Sequence, residues 1–155
     1  MVNSDAMKCF HRTLVFDFGS VNTVVCDEDG NVLFDEPTVI AELYCQNGKL
    51  LIGHKASMAP EIGHCKFFIR PIVRGYVNDY DAFETFVKAV VKKLVHFPRI
   101  WLKTVVIAIP DDLFGDKNAS ACDRAFFEPF RKMGVKDIRT IHRSVAACLG
   151  AQSNN

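Results

Sequence analysis

The sequence predicts an α/β domain built on a mixed sheet, with antiparallel hairpins in its first part and strands alternating with helices in its second. Before residue 53, short apolar runs alternate with turn residues such as Asn47-Gly48, which is the pattern of β-hairpins. After residue 79, stretches with helical periodicity alternate with apolar runs. This order is typical of a sheet that contains both antiparallel and parallel strand pairs.

The first part of the chain is predicted to be strands joined by turns. The predicted strands cover residues 14–16, 24–26, 32–34, 38–44 and 49–52. Pro37 is expected to break the chain between the third and fourth strands, because proline lacks an N–H donor. A short helical stretch interrupted by Pro60 is predicted at 55–62, and residues 66–75 are expected to be irregular.

An amphipathic helix is predicted from residue 80 or so to about residue 95. Asp79 or Asp81 can cap its start. Its apolar residues recur at i, i+3, i+4 and i+7, which indicates one face packed on a core. These residues are Phe83, Phe86, Val87, Val90, Val91 and Leu94.

The remaining elements alternate between strand and helix. Residues 104–109 form a continuous apolar run ended by Pro110, which is typical of a central strand covered on both faces. A helix is predicted at about 119–133, with Pro129 as a kink or break and Gly134 as its stop. A strand at 135–141 and a last helix at 145–151, capped by Ser144, complete the prediction.

Composition limits the possible functions. The chain has 155 residues, 49% of them apolar and 24% charged, which is the profile of one globular domain or two small lobes. Its net charge of +1 provides no field for nucleic acid, so we expect no nucleic-acid partner. The thirteen Phe residues, against one Trp and three Tyr, indicate cores built from Phe.

Cysteine usage and hydropathy indicate the cytoplasm. None of the six cysteines forms a C-x-x-C pair, so reduced thiols are a better interpretation than disulfides or a zinc site. No apolar run approaches the roughly 18 residues that span a membrane. Residues 1–7 are expected to be an expression leader before Met7, and residues 8–155 a single lobe with a smaller lobe inserted at about 36–78.

Residues 17–23 are the candidate site. An apolar strand ends in Asp17, and Gly19 and three small or polar residues follow before the next strand. Consecutive backbone N–H groups in such a turn can cradle a phosphate, and the carboxylate could orient a hydrated divalent cation. The alternative is an ordinary hairpin turn in which Asp17 is a structural acceptor.

Several segments in order resemble one lobe of the actin-like ATPase superfamily, and within it the N-terminal lobe of the MreB family of bacterial cell-shape proteins. The resemblance runs from about residue 14 to 151 and implies the actin-like, ribonuclease H-like fold. The segments are Asp17-Phe18-Gly19-Ser20-Val21-Asn22-Thr23, Glu36-Pro37-Thr38-Val39-Ile40-Ala41, Ile69-Arg70-Pro71, Gly75-Tyr76-Val77, Asp79-Tyr80, Ile107-Ala108-Ile109-Pro110, Gly134-Val135-Lys136 and Val145-Ala146-Ala147-Cys148-Leu149-Gly150-Ala151.

The resemblance implies an ATP and Mg²⁺ site on the first of these segments. Asp17 would face Mg²⁺ through water. The phosphate contacts would come from the rest of the loop, namely Gly19, Ser20, Val21, Asn22 and Thr23.

The chain departs from the family pattern at two places. The family's catalytic Glu follows the strand-ending Pro, but different alignments place Lys117, Cys122 or Asp123 there; the neighbouring Asp116 is a poor substitute. The family's acidic connecting segment is replaced by His142-Arg143-Ser144. His142 and Arg143 could bring positive charge to the phosphates, or could lie in solvent at a strand end.

A second candidate surface lies between the amphipathic helix and the central strand. Its apolar residues have a basic fringe, which suits the surface of an anionic membrane, and MreB proteins have a similar hydrophobic loop at this place. The alternative is that these side chains fold onto the lobe. The candidate membrane contacts are Phe97, Ile100, Trp101 and Leu102.

The sequence leaves two functions open. The first is a lobe of an MreB-like cytoskeletal ATPase, which binds other actin-like subunits or itself and has no counterpart of the second phosphate loop or the base pocket. We expect such a lobe to bind ATP weakly and to hydrolyse none alone. The second is a stand-alone, non-catalytic module that binds actin-like filaments or the inner membrane surface. The missing Glu, the altered connecting segment and the polar end at 152–155 favour this second function.

Overall fold

The computed structural model of the chain describes residues 12–44, 49–62, 65–95, 102–110 and 119–153. Within these ranges the strands are β1 (Arg12–Phe18), β2 (Asn22–Asp27), β3 (Val32–Pro37), β4 (Ile40–Leu43), β5 (Leu50–Ile52), β6 (Cys65–Ile69), β7 (Ile72–Val73), β8 (Tyr76–Val77), β9 (Leu102–Ile109) and β10 (Asp137–His142). The helices are α1 (Gly53–Ser57), α2 (Ala59–Ile62), α3 (Tyr80–Leu94), α4 (Ala119–Lys132) and α5 (Arg143–Ser153).

A five-stranded mixed sheet forms the centre of the fold, in the order β10-β9-β1-β2-β3. Strands β1, β2 and β3 are antiparallel neighbours, whereas β9 runs parallel to both β1 and β10. Phe16 is paired with Val25 on one side and with Ile107 on the other. The predicted mixed α/β sheet and its central apolar strand are confirmed.

Helices α3 and α4 pack on the main sheet through a cluster of phenylalanines. The ring of Phe18 meets that of Phe83 at 5.0 Å, and the ring of Phe16 meets that of Phe130 at 4.9 Å, both edge to face. Such pairs contribute beyond the burial of their area. The buried face of α3 is the predicted one, since Phe83, Phe86, Val87, Val90 and Val91 are all buried.

Asp79 is the residue that caps α3. Its backbone is extended, and its Oδ1 accepts the N–H of Ala82 at 2.9 Å. This satisfies one of the N–H groups that a helix leaves open at its first turn. Of the two predicted caps, the structure therefore has Asp79, while Asp81 lies inside the helix.

A second, three-stranded sheet with the order β5-β4-β6 carries its own small core together with α1 and α2. The core residues are Val39, Ala41, Leu43, Leu51, Ala56 and Ala59. This sheet lies within the span predicted for the inserted lobe. The exact domain boundaries remain a prediction.

Two strand predictions were wrong. Residues 66–75, expected to be irregular, contain β6 and β7; the side chains of β6 alternate between half-buried and exposed, because β6 is an edge strand with one face on the small core. Strand β3 continues to Pro37, which is paired with Asn22. A proline is tolerated there because β3 is also an edge strand, where a missing donor costs no ladder hydrogen bond.

Two helix predictions also need correction. Helix α4 continues through Pro129, so a break there is wrong, and it ends just before the turn at Gly134, the predicted stop, which has φ of 87°. Helix α5 begins at Arg143 directly after β10, so Ser144 lies inside the helix and is not its cap. None of the helices in the described part of the chain is both long and apolar enough to cross a bilayer.

Candidate phosphate-binding site

The candidate site lies where β1, β9 and β10 end. These three strands are parallel, so their carboxyl ends share one edge of the sheet. The loop of residues 19–21 follows β1, Pro110 follows β9, and Arg143 follows β10. In open α/β sheets this edge is the usual place for a ligand.

Gly19 closes the turn between β1 and β2. Its N–H donates to the carbonyl oxygen of Asn22 at 2.9 Å. A Cβ at this position would lie 2.5 Å from the same oxygen, so only glycine fits. Because its N–H is used within the turn, the prediction that Gly19 contacts phosphate through that group is wrong; its role is to shape the loop.

Thr38 holds the loop from the side of the small sheet. Its N–H donates to Val21 O at 2.8 Å, and its hydroxyl donates to Gly19 O at 2.7 Å. The Thr38 hydroxyl proton is therefore used, so Thr23 must be the donor in the 2.8 Å contact between the two hydroxyls. Both threonines are fully buried. Thr23 therefore cannot reach a phosphate, and its assignment as a phosphate contact was wrong.

A hairpin tip holds the loop from the other side. Arg74 and Gly75, which join β7 to β8, have φ of 52° and 83°, the left-handed conformation of both central residues of a type I′ turn. The N–H of Gly75 donates to Ser20 Oγ at 2.9 Å. A Cβ on Gly75 would lie 3.2 Å from Pro110 Cγ, so the tip also touches the end of β9.

These contacts leave the top of the loop available to an anion. Within the described ranges, no hydrogen bond occupies the N–H of Ser20 or of Val21, and Val21 is 72% exposed. The Ser20 hydroxyl accepts from Gly75 and keeps its own proton to donate. The Asn22 side chain turns away and donates to Asp35 Oδ1 at 3.2 Å. The loop can therefore offer two N–H groups and one hydroxyl to a phosphate.

Asp17 is paired with a side chain from the far end of the chain. The Nε of Arg143 donates to Asp17 Oδ1 at 2.7 Å, and its Nη2 donates to Phe18 O. The Arg143 and Asp17 side chains are 31% and 52% exposed, respectively. Of the two alternatives for Arg143, the structure therefore has the guanidinium at the loop and not free in solvent.

The residues present fit a magnesium ion poorly. Asp17 is the carboxylate that the resemblance assigns to the ion, and it already has a cationic partner. In the described segments, no group of three or more His, Cys, Asp or Glu side chains could hold a metal ion, so an ion at the loop would depend on Asp17 and on the phosphates of its ligand. The phosphate part of the predicted site therefore has a geometric basis, but the metal part does not.

Several predicted residues lie outside the described ranges. These are Asp116, Lys117, Phe97, Ile100 and Trp101, together with the side chains of Cys122 and Asp123. Leu102 is described and is 4% exposed at the start of β9. Its assignment as a membrane contact was wrong, because the strand directs it into the main core.

Another concavity lies between β5 and α3, away from the loop. Its volume is about 670 Å³. Its lining includes Lys49, Lys55, Lys92 and Lys93. It also includes Glu36, which accepts from the Lys93 ammonium and from the N–H of His54. Lys93 also lies over the ring of Phe34. Because its one carboxylate is already bound, this concavity shows no catalytic arrangement within the described residues.

Comparison with known proteins agrees with this geometry. The family model for MreB/Mbl proteins matches residues 11–154. No significant relative is found among curated proteins.

Two crystal structures of MreB5 of Spiroplasma citri are similar to the chain, one bound to ADP and one to AMPPNP. They are 20% and 21% identical, both with a TM-score of 0.69, and cover 91% and 92% of this chain. The chain spans 41% of the length of each. By the extent of the family match and by its mixed sheet, the chain belongs to the MreB/Mbl family and has the fold of an actin-like lobe.

Proposed function

We propose that this chain is the phosphate-binding lobe of an MreB-type cytoskeletal protein that acts in bacterial cell shape. The observation that supports this most directly is the loop at 19–21, which is held by Thr38 and Gly75 and has unused N–H groups at Ser20 and Val21. The similar MreB5 structures contain ADP or AMPPNP, which supports nucleotide as the ligand class.

The loop alone is expected to bind nucleotide weakly. It contributes two N–H groups, one hydroxyl and the Arg143 guanidinium, and each net hydrogen bond is worth about 1 kcal/mol in water. A total of about 4 kcal/mol corresponds to a Kd of about 1 mM. We therefore propose that tight binding and hydrolysis need groups beyond those of this chain.

NMR titration of the isotope-labelled chain with ATP tests the proposal, once with EDTA and once with excess Mg²⁺. We expect the amide signals of Ser20 and Val21 to shift with a Kd of about 1 mM in at least one condition. Gly19→Ala should abolish these shifts, because the added Cβ would clash with Asn22 O.

The matched control is Gly150→Ala, whose Cβ would point into open space; it should leave the shifts unchanged. If neither condition shifts Ser20 or Val21, the loop is not a phosphate site. A micromolar Kd, or release of phosphate from ATP, would contradict the expectation of a weak, inactive lobe.

A non-catalytic module that binds actin-like filaments is the second candidate, and one observation favours it. Helix α5 exposes Val145 and Leu149, which are one turn apart. An exposed apolar pair beside the loop suits contact with another subunit or a second copy. We place either form in the cytoplasm; contact of Phe97, Ile100 and Trp101 with the inner face of the plasma membrane remains a prediction.

A further inference from the structure

We infer that Arg143 takes the place of the divalent cation, so that the loop binds free nucleotide phosphate without Mg²⁺. The inference rests on the proposed function of the loop and concerns which form of the ligand it binds. It starts from the contact of Arg143 with Asp17 and with Phe18 O.

The guanidinium is held in place by two contacts. Nε bonds the carboxylate and Nη2 bonds a backbone carbonyl of β1, immediately before the loop. A single exposed ion pair contributes little to stability, but two directed hydrogen bonds restrict where a planar guanidinium can lie. The positive charge therefore has a defined position beside residues 19–21.

The same guanidinium has donors to spare. It carries five N–H groups and uses two of them for Asp17 and Phe18. The remaining three can donate to phosphate oxygens, a group for which arginine geometry is well suited. An anion on the N–H groups of Ser20 and Val21 would thus meet a cation that the protein itself supplies.

Two effects disfavour the binding of a magnesium ion at Asp17. It would have to displace Arg143 from Asp17 Oδ1, and it would bring two positive charges close to a fixed positive charge. Mg²⁺ in solution also lowers the negative charge of ATP, which weakens its attraction to the guanidinium. We therefore expect the chain to bind ATP in EDTA at least as tightly as in excess Mg²⁺.

The titrations with ATP in EDTA and in excess Mg²⁺ decide between the two ligand forms. For the wild-type chain, the Kd from the Ser20 and Val21 shifts should be no higher in EDTA than in Mg²⁺. Arg143→Ala should raise the Kd in EDTA about fivefold or more, and Mg²⁺ should then improve binding because Asp17 is free to face the ion. Arg143→Lys keeps the charge but loses the planar, bidentate guanidinium, so its Kd in EDTA should lie between those of the wild type and Arg143→Ala.

A second readout detects the metal directly. Dilute Mn²⁺, which broadens the signals of nearby amides, should cause no selective broadening around Asp17 in the wild type and should cause it in Arg143→Ala. The matched control is Arg139→Ala; Arg139 is an exposed arginine on β10 that pairs with Asp137. This variant should behave as the wild type in both experiments.

The outcomes separate the inference from the proposed function. The inference is overturned if the amide signals of Ser20 and Val21 shift only when Mg²⁺ is present, or if Mn²⁺ selectively broadens signals around Asp17 in the wild type. Either result would leave the proposed phosphate-binding function of the loop standing. No shift in either condition overturns both. The wild-type comparison needs no substitution, so it holds even if Arg143→Ala does not fold.

Discussion

At the scale of single residues, Thr38 does more to fix the conformation of the loop than any predicted loop residue. One side chain and its own N–H fix two carbonyl groups of the loop, those of Gly19 and Val21. The Thr38 hydroxyl oxygen also accepts a hydrogen bond from the Thr23 hydroxyl, and both residues are fully buried. Buried polar groups are costly when they lose a partner, so this chain of hydrogen bonds makes the loop conformation specific.

Removing either hydroxyl should destabilise the chain, but to different degrees. Thr38→Val leaves Gly19 O and the Thr23 hydroxyl without partners, and we expect a loss of about 2 kcal/mol. Thr23→Val removes one donor, and Thr38 keeps its bond to Gly19, so the loss should be about 1 kcal/mol.

Urea denaturation measures both losses in the free energy of unfolding. Thr140→Val, at an exposed position of β10, is the control and should change little. Equal losses for Thr38→Val and Thr23→Val would contradict the order of donors in which Thr23 donates to Thr38 and Thr38 to Gly19.

The sequence identifies the residues of the loop but not those that hold it. Asp17 and Gly19 stand out because a strand, a carboxylate and a turn are adjacent in the chain. Thr38, Gly75 and Arg143 act on the loop from 19, 55 and 125 or more residues away. Thr38 and Gly75 lie in segments that resemble the family, and Arg143 stands out as a basic residue in the connecting segment. Their contacts with the loop are set by the fold and could not be predicted from neighbouring residues.

At the scale of elements, one carboxylate joins the two helices that cover the sheet. Glu84 of α3 accepts from Lys88 on the same helix and from Lys132 on α4. The hydrogen bond from Lys132, followed by that from Lys88, lowers the pKa of Glu84 from 4.5 to about 2. The ammonium of Lys132 also lies over the ring of Tyr80, so the ends of both helices meet in this cluster.

The Glu84 cluster predicts a pH dependence. A carboxyl group whose pKa is lower in the folded state stabilises that state above its unfolded pKa and loses this contribution as pH falls through the folded value. The stability that Glu84 provides should therefore be complete above pH 4.5 and disappear between pH 4.5 and about 2.

Urea midpoints of the wild type and Glu84→Gln, measured at pH 7, 4 and 2.5, test this. The variant should be less stable at pH 7, and the difference should shrink as the pH falls. Glu61→Gln, at an exposed position of α2, should show no such convergence. A difference that stays constant with pH would exclude this role for Glu84.

The elements that could be predicted from the sequence are those with a clear periodicity of apolar residues or with a continuous run of buried apolar residues. Helix α3 has a wide apolar face and an acidic cap. Strand β9 is apolar from Val105 to Ile109, where it lies between β1 and β10 and is mostly buried. Strand β6 was missed because Phe68 is on the same exposed side as Lys66. An apolar residue on the exposed side hides the alternation of polar and apolar residues that marks a strand. Its assignment depends on pairing with β4, which no local window contains.

At the scale of the whole molecule, the edge that carries the loop also exposes apolar side chains. Val145 and Leu149 of α5 are 48% and 55% exposed, and Arg143 places the start of this helix beside Asp17. An apolar face next to a candidate site marks a surface that another chain can cover. The sequence predicted a mixed sheet with antiparallel hairpins, but the exposed apolar pair on α5 could be identified only from the position of this helix in the structure.

We expect the chain to associate with itself through α5. Sedimentation velocity at increasing concentration should show a rising mean mass for the wild type, since exposed apolar area favours association. The double substitution Val145→Glu and Leu149→Glu should reduce this association strongly.

Val32→Glu is the matched control, because Val32 is also exposed but lies at the opposite end of β3 from the loop. If the double variant and the control associate equally, α5 is not the contact surface. A wild type that stays monomeric at every concentration would contradict the prediction altogether.

The pair formed by Asp17 and Arg143 has a consequence for how the protein is made. The two residues are 126 positions apart, so a ribosome has released a long stretch of chain before the guanidinium can reach the carboxylate. Contacts of such high sequence separation form late and slow the completion of a fold. At roughly 5–20 residues per second, Asp17 is synthesised about ten seconds before Arg143, so this ion pair cannot form until α5 emerges.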